Sequence, residues 1–599
     1  MVDGDVVAAA QQERFSRIKH DPRCRSTPSV SASNASVEPD GLDAVVYYDK
    51  PLTTFNRIMR SYAAAGIRGV TTFPSAMQEW MGRKLWVPFE VERAILDLGY
   101  KMPGRLLFAE HHVSHAAAFY PSPFEQAAIL TFDGVGEWAT SSVGVGRGAK
   151  VELLREMRFP DSIGLLYSAF TAFCGFKVNS GEYKLMGLAP FGRPTHRDTI
   201  LNELIELRDD GSFVMNLRYF DFLAGKRMTN RRFERLFGGP ARRPESPSPN
   251  ANSTWRRPSR TSPRRSCCGW RFAHSLTGDD DVVLGGGVAL NCVANGRLLR
   301  EGPFQRVWVQ PAAGDAGNAI GCALWAYHEV LERPRTMPVS ASADGMHGCQ
   351  LGTRYDPDAI AASLDEQCRP HERLADEQEL ADRIAGLIAD GNVVGYFQGR
   401  MEFGPRALGN RSILADPRDQ AMQAKVNLAI KKRESFRPFA PAVLADKASE
   451  WFDLDQPSPY MMFVAPVAAR HLRTAGSDDD AVGDDPSTAR TDLQARLAAI
   501  DSDIGAVTHI DGSARVQTVD ADRFGALHRL LTAFDRRTGC PVLVNTSFNV
   551  RGEPIVESPE DAYRCFMTTD MDVLVLEDCV LLKADQPPYE GPVPEFAAD

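Results

Sequence analysis

The sequence lacks features that would mark several other kinds of protein. It has no run of about 18 apolar residues, the length that crosses a bilayer, and its first residues lack the basic start and long apolar core of a secretory signal. Its 11 cysteines form no Cys-x-x-Cys pair, and their odd number suits a reducing cytoplasm better than a disulfide framework. A basic excess is also missing, because the net charge is −10, which argues against general nucleic-acid binding. We therefore expect a cytoplasmic protein without membrane or nucleic-acid partners; the oligomeric state stays open.

Two histidines four residues apart are the most informative feature that is present. His111 and His115 stand in the run Glu110-His-His-Val-Ser-His-Ala. On a helix, residues at i and i+4 share a face, so both imidazoles can reach one ion. A zinc-protease helix needs Glu directly after the first His, and this chain has His112 there. The spacing therefore predicts a metal site of another kind, the alternative being two histidines that serve only their own helix.

Two carboxylates in glycine-containing loops can complete this ligand set. Asp133 follows the apolar run Ala127–Phe132, which reads as a buried strand, and Asp315 lies in Gly314-Asp-Ala-Gly. Ligands at the carboxyl ends of strands are usual in α/β proteins. Two His plus Asp suit a divalent transition metal.

A turn near the N-terminus, at Asp3-Gly4, predicts a hairpin followed by a strand over residues 5–10.

The second half of the chain holds scattered basic residues among glycine, proline and phenylalanine. Three arginines lie in the run from Gly399 to Ser412, and the rest follow apolar strand-like stretches. Guanidinium groups match phosphate and carboxylate oxygens bidentately, and hydroxyl groups can complete such a pocket. The pattern favours an anion site over a solvated basic surface. Its members are Arg400, Arg406, Arg411, Lys431, Arg437, Arg515, Ser547 and Arg551.

Three other segments carry weaker signals. Residues 282–291 read as a strand, a glycine turn and a helix start, where backbone amides can approach a nucleotide closely. Residues 22–37 and 241–271 have no periodicity and interrupt well-patterned sequence abruptly. They are either disordered basic loops or the product of translation out of frame.

Ten motifs in order resemble the O-carbamoyltransferases of the nodulation and antibiotic-biosynthesis type. The likeness covers most of the chain, apart from the two atypical segments. The motifs are Glu13–Asp21, Glu110–Ala116, Thr131–Glu137, Ser162–Tyr167, Gly181–Ala189, Leu284–Asn291, Gly314–Gly317, Gly404–Ser412, Phe436–Pro441 and Asn545–Asn549.

The resemblance implies an α/β protein of two domains. Residues 1–335 would form an actin-like ATPase-fold (ASKHA) domain, 336–355 a linker and 356–599 a YrdC-like α/β domain. The YrdC-like domain would make carbamoyl-adenylate from carbamoyl phosphate and ATP, with Mg²⁺ accompanying the ATP. The actin-like domain would pass the carbamoyl group to a hydroxyl of a small-molecule metabolite or sugar, with a bound divalent metal, usually Fe²⁺. Family members also begin with a strand and turn before Asp3-Gly4 that this sequence does not show.

The resemblance also assigns roles to single residues. The metal ligands would be His111, His115, Asp133 and Asp315. The carbamoyl phosphate site would use Arg406, Lys431, Arg437, Arg515, Asn545 and Ser547, with Lys431, Arg437 and Arg515 acting in catalysis. Nucleotide would be held by Asp133, Gly285, Gly286 and Asn291. The base for the acceptor hydroxyl would be His112 or His115, a choice that the sequence leaves open.

Two other hypotheses remain. One is another carbamoyl-adenylate enzyme, of hydrogenase maturation or tRNA threonylcarbamoylation; the first usually carries Cys-x-x-Cys pairs and the second prefers a basic face, and neither is present. The other is a non-catalytic remnant of a carbamoyltransferase gene. The expected but missing first strand and the two atypical segments favour it, and the intact His and Arg motifs disfavour it.

Overall fold

The computed structural model describes residues 1–21, 41–192, 195–244, 268–337, 343–434, 437–473 and 501–592. All of segment 22–37 and most of 241–271 lie outside these ranges. The chain forms two compact units: the first contains Met1–Val7 and Cys24–Gly345, and the second contains Ala8–Arg23 and Met346–Asp599. The predicted domain division did not anticipate that a short N-terminal segment belongs with the C-terminal half.

The first unit is a mixed α/β structure. Its helices in the described residues are α2 (Pro51–Ala65), α3 (Phe73–Gly82), α4 (Val87–Asp97), α5 (His111–Ala116), α6 (Ile163–Phe173), α7 (Glu182–Leu188), α8 (Arg197–Thr199), α9 (Arg231–Leu236), α10 (Cys268–Thr277), α11 (Cys292–Glu301) and α12 (Asn318–Trp325). Its strands are β1 (Val45–Tyr47), β2 (Leu106–Phe108), β3 (Gln126–Phe132), β4 (Ala139–Arg147), β5 (Lys150–Arg158), β6 (Ile205–Leu207), β7 (Phe213–Met215), β8 (Asp281–Gly285) and β9 (Arg306–Val309).

The main sheet of this unit has the strand order β5-β4-β3-β8-β9. Strands β3, β4 and β5 form an antiparallel meander, whereas β8 and β9 run parallel to β3. Residues Ala127 to Leu130 of β3 are almost completely buried, as expected of a central strand covered on both faces. The parallel pair β3 and β8 brings two carboxyl ends to one edge, where the functional loops begin.

The second unit contains a larger sheet. Its strands are β10 (Glu372–Arg373), β11 (Val394–Phe397), β12 (Arg411–Ala415), β13 (Ala440–Leu444), β14 (Phe463–Pro466), β15 (Ser513–Val519), β16 (Val542–Ser547), β17 (Val573–Leu576) and β18 (Cys579–Leu582). Its helices in the described residues are α1 (Gln12–Ser16), α13 (Pro357–Glu366), α14 (Glu377–Ala389), α15 (Ala421–Ala424), α16 (Ala448–Trp451), α17 (Ala521–Thr538) and α18 (Pro559–Met567). The strand order is β10-β18-β17-β11-β12-β16-β13-β15-β14, and β11, β12, β13 and β17 are buried along their whole length.

These observations confirm the predicted α/β class. The turn at Asp3-Gly4 is also confirmed, because both residues have positive φ and the amides and carbonyls of Val2 and Asp5 pair across it. The predicted strand over 5–10 is wrong: only the bridge between Val2 and Asp5 forms, and the following residues leave for the second unit, where the Ala9 amide donates to the Leu351 carbonyl. No helix in the described ranges combines the length and apolar character needed to span a bilayer.

Candidate functional site

Helix α5 positions the two predicted histidine ligands in the first unit. It begins directly after β2, and its first amide, that of His111, donates to the carboxylate of Glu137 at 3.0 Å. The same carboxylate oxygen accepts from the Lys50 amide at 3.0 Å. Carboxylates are favourable at a helix N-terminus, where amides lack partners. Glu137 therefore fixes where the helix starts and so where the histidine side chains lie.

Small residues allow the neighbouring elements to approach α5 closely. A Cβ added at Gly321 of α12 would lie 2.0 Å from the Ser114 carbonyl oxygen. One added at Gly136 would lie 2.9 Å from the Cβ of His111. Neither position has space for a side chain, so both glycines are needed for this packing. Gly321 thus allows helix α12 to pack closely against the helix that carries both histidines.

The structure brings the four predicted metal ligands together. The Nε2 atoms of His111 and His115 face each other at 3.1 Å, and Asp133 Oδ2 lies 2.9 Å from the first and 3.7 Å from the second. Asp315 Oδ1 lies 3.6 and 3.8 Å from the same two nitrogens. The second carboxylate oxygen of Asp133 accepts from the Gly287 amide at 3.2 Å, which orients it. The Asn318 amide nitrogen is 3.3 Å from His115 Nε2.

Charge and burial act against each other in this cluster. Burial disfavours a charged imidazole at His111, but the hydrogen bond to Asp133 and the charges of Asp315 and Asp133 raise its pKa to about 9. Burial likewise opposes the ionised form of Asp133, yet hydrogen bonds and charge from both histidines hold its pKa well below the usual range. The site thus stabilises positive charge between the imidazoles and the carboxylates.

This donor set fits a divalent metal ion. One ligand atom from each of the four side chains lies within 4.8 Å of all the others, a spread close to that of donors about 2.0–2.2 Å from one ion. Two neutral Nε2 lone pairs facing each other at 3.1 Å repel unless a proton or a cation lies beside them. The cluster could therefore hold a metal through two nitrogens and two oxygens.

His112 lies beside this cluster and has a different environment. Its Nδ1 is 2.6 Å from the Thr131 hydroxyl, which in turn is 2.5 Å from the Ser142 hydroxyl. Its Nε2 is buried without a hydrogen-bond partner in the described part of the chain. Burial and the two neighbouring histidines lower the pKa of His112 to about 3, so the ring is neutral. Its assignment as a base stays a prediction.

The predicted nucleotide residues also have structural roles. A Cβ at Gly286 would lie 2.1 Å from the Phe132 carbonyl oxygen, and one at Gly285 would lie 2.6 Å from that of His115. These glycines let β8 approach both the end of β3 and helix α5. The Asn291 side chain accepts from the Ala294 amide at 3.1 Å and so caps helix α11. Nucleotide binding by these residues remains a prediction.

The second unit places Lys431 at the centre of a polar cluster. Its Nζ lies within hydrogen-bond distance of four oxygens: the carbonyl and hydroxyl oxygens of Ser547, at 2.5 and 3.1 Å, and the carbonyl and side-chain oxygens of Asn549, at 3.1 and 2.6 Å. Only 3% of the residue is exposed. Burial, together with the nearby Arg433 and Arg437 cations, holds its pKa well below the usual range. Sequence reasoning found Lys431 and Ser547 but missed Asn549.

The remaining members of the predicted anion site lie on or beside neighbouring strands. Asn545 and Ser547 are on β16, which pairs with β12 and β13, while Arg515 is on β15, which also pairs with β13. The Asn545 amide donates to the Gln517 side chain at 2.7 Å, and Asn545 Oδ1 is buried without a hydrogen-bond partner among the described residues. Arg437 lies near Lys431, since its charge lowers the lysine pKa.

The three arginines between Gly399 and Arg411 divide into two kinds. Arg411 is completely buried, and its guanidinium donates to the carbonyls of Gln398, Gly399 and Asn410 at 2.9–3.2 Å. Arg400 donates to the carbonyls of Gly352 and Leu351 at 3.0 and 2.9 Å. These two side chains therefore brace the backbone of the loop. Anion binding by Arg406 remains a prediction.

A histidine that sequence reasoning missed lies beside this strand group. His509 stands in the turn before β15, with Nδ1 3.2 Å from the Ser513 hydroxyl. Its Nε2 is buried and has no hydrogen-bond partner within the described ranges. Burial lowers the pKa of His509 to about 4, and Arg515 adds to this effect while Asp511 opposes it. A lone histidine in a turn offers no spacing signal, so the sequence could not single it out.

Comparison with known proteins points to one family over nearly all of the chain. Residues 1–324 match the family model "Carbamoyltransferase N-terminus", and residues 385–583 match "Carbamoyltransferase C-terminus". Protein sll1178 of Synechocystis is 48% identical over 602 residues, covering 98% of this chain and 95% of that protein. Nodulation protein NolNO of Sinorhizobium fredii is 36% identical over 600 residues, covering 98% and 79%. The 3'-hydroxymethylcephem-O-carbamoyltransferase of Amycolatopsis lactamdurans is 34% identical over 280 residues, covering 47% and 44%.

Proposed function

The chain belongs to the carbamoyltransferase family and is an enzyme of O-carbamoyl transfer; from this premise we propose how its two units divide the reaction. The second unit makes carbamoyl-adenylate from carbamoyl phosphate and ATP, and the first passes the carbamoyl group to a small-molecule hydroxyl. The observation that carries this proposal is the presence of two chemically different clusters in two separate units. One is built from imidazoles and carboxylates, and the other surrounds a buried lysine.

The second cluster suits the making of the reactive donor. Carbamoyl phosphate is a dianion, and Lys431, Arg437 and Arg515 would bind it, with Arg406, Asn545 and Ser547 completing the site. Water first hydrolyses carbamoyl phosphate to carbamate and inorganic phosphate. A carbamate oxygen then attacks the α-phosphorus of ATP and displaces pyrophosphate. Such steps depend on positioning and charge neutralisation more than on a protein nucleophile. Mg²⁺ would accompany the ATP phosphates.

The first cluster suits the transfer to the acceptor. His111, His115, Asp133 and Asp315 would hold a divalent metal, Fe²⁺ being the usual one in the family. Such an ion would supply Lewis acidity and a fixed positive charge. The acceptor hydroxyl attacks the carbamoyl carbon, AMP leaves, and the hydroxyl proton passes to a base. His112 is the candidate that we favour, because it lies beside the cluster and is not one of the four proposed metal ligands.

The architecture of each unit is compatible with the implied folds. The order β5-β4-β3-β8-β9, with an antiparallel meander joined to two parallel strands, supports an actin-like ATPase core. Its Gly285-Gly286 turn and Asn291 would then lie beside adenosine and Asp133 beside the phosphates. The long mixed sheet of the second unit supports a YrdC-like domain. The 3'-hydroxymethylcephem-O-carbamoyltransferase and the nodulation proteins favour a hydroxyl of a specialised metabolite or sugar as the acceptor.

The other hypotheses receive less support. Matches to both carbamoyltransferase models favour an enzyme over a non-catalytic remnant. No described residue adds support for a hydrogenase-maturation or tRNA-modifying role.

The decisive experiment follows pyrophosphate. The purified chain is incubated with ATP, Mg²⁺ and carbamoyl phosphate without an acceptor, and the products are identified by mass spectrometry. We expect pyrophosphate and carbamoyl-adenylate that depend on carbamoyl phosphate, whereas acetyl phosphate as a matched control should give neither. The proposal for the second unit would be overturned if pyrophosphate release were the same with and without carbamoyl phosphate, or if folded protein released no pyrophosphate.

A further inference from the structure

The N-terminal segment crosses the polar loops of the second unit. We call residues 8–21 the N-terminal strap; it begins where the Ala9 amide donates to the Leu351 carbonyl at 3.0 Å and contains helix α1. This helix ends at Arg17 in the left-handed conformation, with φ of 58°. The charge of Lys19 contributes to the lowered pKa of Lys431, so the strap reaches the neighbourhood of the lysine cluster. Lys19 and Lys431 are far apart in the sequence, so the sequence alone does not predict that they lie near each other.

Arg17 attaches the strap to the loop that follows Ser547. Its two terminal nitrogens donate to the carbonyls of Ile555 and Pro554 at 2.7 and 3.0 Å. Its Nε lies 3.2 Å from a carboxylate oxygen of Asp561, which lies in the first turn of helix α18. These contacts hold the strap against backbone beyond the lysine cluster.

Arg14 attaches the strap to a second loop, the anion loop, which we define as residues 399–411. Arg14 Nη2 donates to the Gly404 carbonyl at 2.7 Å. From the other side, one oxygen of Glu402 accepts from the amides of Leu408, Asn410 and Arg411 at 2.7–3.1 Å. The stretch between these anchors carries Arg406, two residues after Gly404. Arg14 and Glu402 together therefore fix the backbone on both sides of the candidate ligand.

Arg14 is a buried cation whose donors are only partly paired. The residue is 1% exposed, and its Nε and Nη1 are buried without hydrogen-bond partners in the described chain. Buried unpaired donors on a cation are unfavourable, and an apolar side chain of similar volume is often equally stable or more so. The charges of Glu13 and Glu402 offset part of this cost. A fixed positive charge beside the anion loop also favours an anion bound there.

We propose that Arg14 is a positioning residue of the anion site: it holds the Gly404 turn, and with it Arg406, in the geometry that binds the donor phosphate. The N-terminal strap then works as part of the second unit's site although it lies about 390 residues away in sequence. The identity of the anion as carbamoyl phosphate rests on the proposed function.

The test compares three variants of the full chain. Arg14→Met keeps the approximate volume and removes the charge and donors, Arg14→Lys keeps the charge and one donor group, and Arg536→Met removes an exposed arginine from helix α17 as a matched control. Carbamoyl phosphate-dependent pyrophosphate release, thermal unfolding and calorimetric titration with carbamoyl phosphate and inorganic phosphate are measured for each. For Arg14→Met we expect the KM for carbamoyl phosphate to rise about 10- to 100-fold, and the KM for ATP to change by less than about 2-fold.

The outcomes separate the possible failures. A raised KM in Arg14→Met that Arg14→Lys partly restores is the expected result, because charge and one hydrogen bond return. A lower unfolding temperature of Arg14→Met does not alter this result, since the Gly404 carbonyl loses its donor and the KM is measured on the folded fraction. An unchanged KM with a reduced active fraction and lower unfolding temperature would reduce Arg14 to a structural residue and overturn the inference. If wild-type protein makes no carbamoyl-adenylate, the proposed function fails; weaker binding of inorganic phosphate by Arg14→Met would then still support the inference, and equal binding would overturn it.

Discussion

The two polar clusters are built in opposite ways. In the first unit, two ligands come from one turn of helix α5 and the other two from loops at the carboxyl end of β3 and before α12. In the second unit, the basic residues come from several loops and strands, and each needs the sheet to bring it near the others. Local helix geometry dictates half of the first site, whereas only the complete fold assembles the second.

Because of this difference, metal ligands in the first cluster can be predicted from sequence more reliably than anion ligands in the second. The two histidines of the first cluster have their Nε2 atoms directed at each other and at carboxylates. In the second cluster, Arg400 and Arg411 resemble Arg406 in sequence context, yet they donate to backbone carbonyls. An arginine in a glycine-rich loop can therefore either bind phosphate or donate to backbone carbonyls, and its sequence context does not distinguish the two roles.

The largest effect that would separate the clusters is expected from Asp133→Asn. This change removes the carboxylate that contacts both histidines, so metal binding should be lost and acceptor carbamoylation should fall by at least about 10³-fold. Carbamoyl phosphate-dependent pyrophosphate release should stay within about 3-fold of wild type, because the second cluster is untouched. Elemental analysis and the two activity assays measure this. Asp280→Asn is the matched control, since its side chain is 59% exposed. Equal loss of both activities would contradict a division of labour.

The reciprocal change, Lys431→Met, should disable the donor step. Its ammonium contacts four oxygens of Ser547 and Asn549, so we expect pyrophosphate release to fall by about 10²-fold or more. Metal content should not change. Lys432→Met is a close control, because that neighbouring side chain is 36% exposed. A similar loss in both lysine variants would show that general positive charge, and not this cluster, supports the step.

The same contrast between local and long-range structure determines which features could be predicted from the sequence. The strand before Asp133 was predicted within one residue of β3, since its apolar run is continuous. The metal ligands could be predicted because helix periodicity links His111 to His115. Arg14 could not, since no local pattern connects it with Gly404, and the predicted strand over residues 5–10 failed for the same reason: tertiary contacts take that segment to the other unit.

A pair of arginine variants should sharpen the contrast within the anion loop. Arg411→Met leaves several backbone carbonyls without their donor, so it should lower the free energy of unfolding by about 2–4 kcal/mol. Its effect on the KM for carbamoyl phosphate should be small in the fraction that folds. Arg406→Met should lower the free energy of unfolding by less than Arg411→Met does, because Arg406 is less buried, and it should raise that KM. Chemical denaturation and steady-state kinetics measure both. The reverse pattern would exchange the roles of the two arginines.

The smallest expected effect concerns His509 and the pH dependence of stability. Its pKa is lowered to about 4 in the folded chain, chiefly by burial, whereas an unfolded histidine has a pKa near 6.5. Between these two values the unfolded chain binds a proton that the folded chain does not, so stability falls as the pH drops from 6.5 towards 4. Replacing the residue by glutamine removes this titration, and the stability lost between pH 7 and pH 5 should shrink by about 1–2 kcal/mol.

Urea denaturation at the two pH values measures the change, with His20→Gln as a control because the His20 side chain is 52% exposed. An identical pH dependence in wild type and His509→Gln would mean that this imidazole is solvated, and the contrast between a buried neutral ring near Arg515 and the charge-stabilising histidines of the first unit would no longer hold.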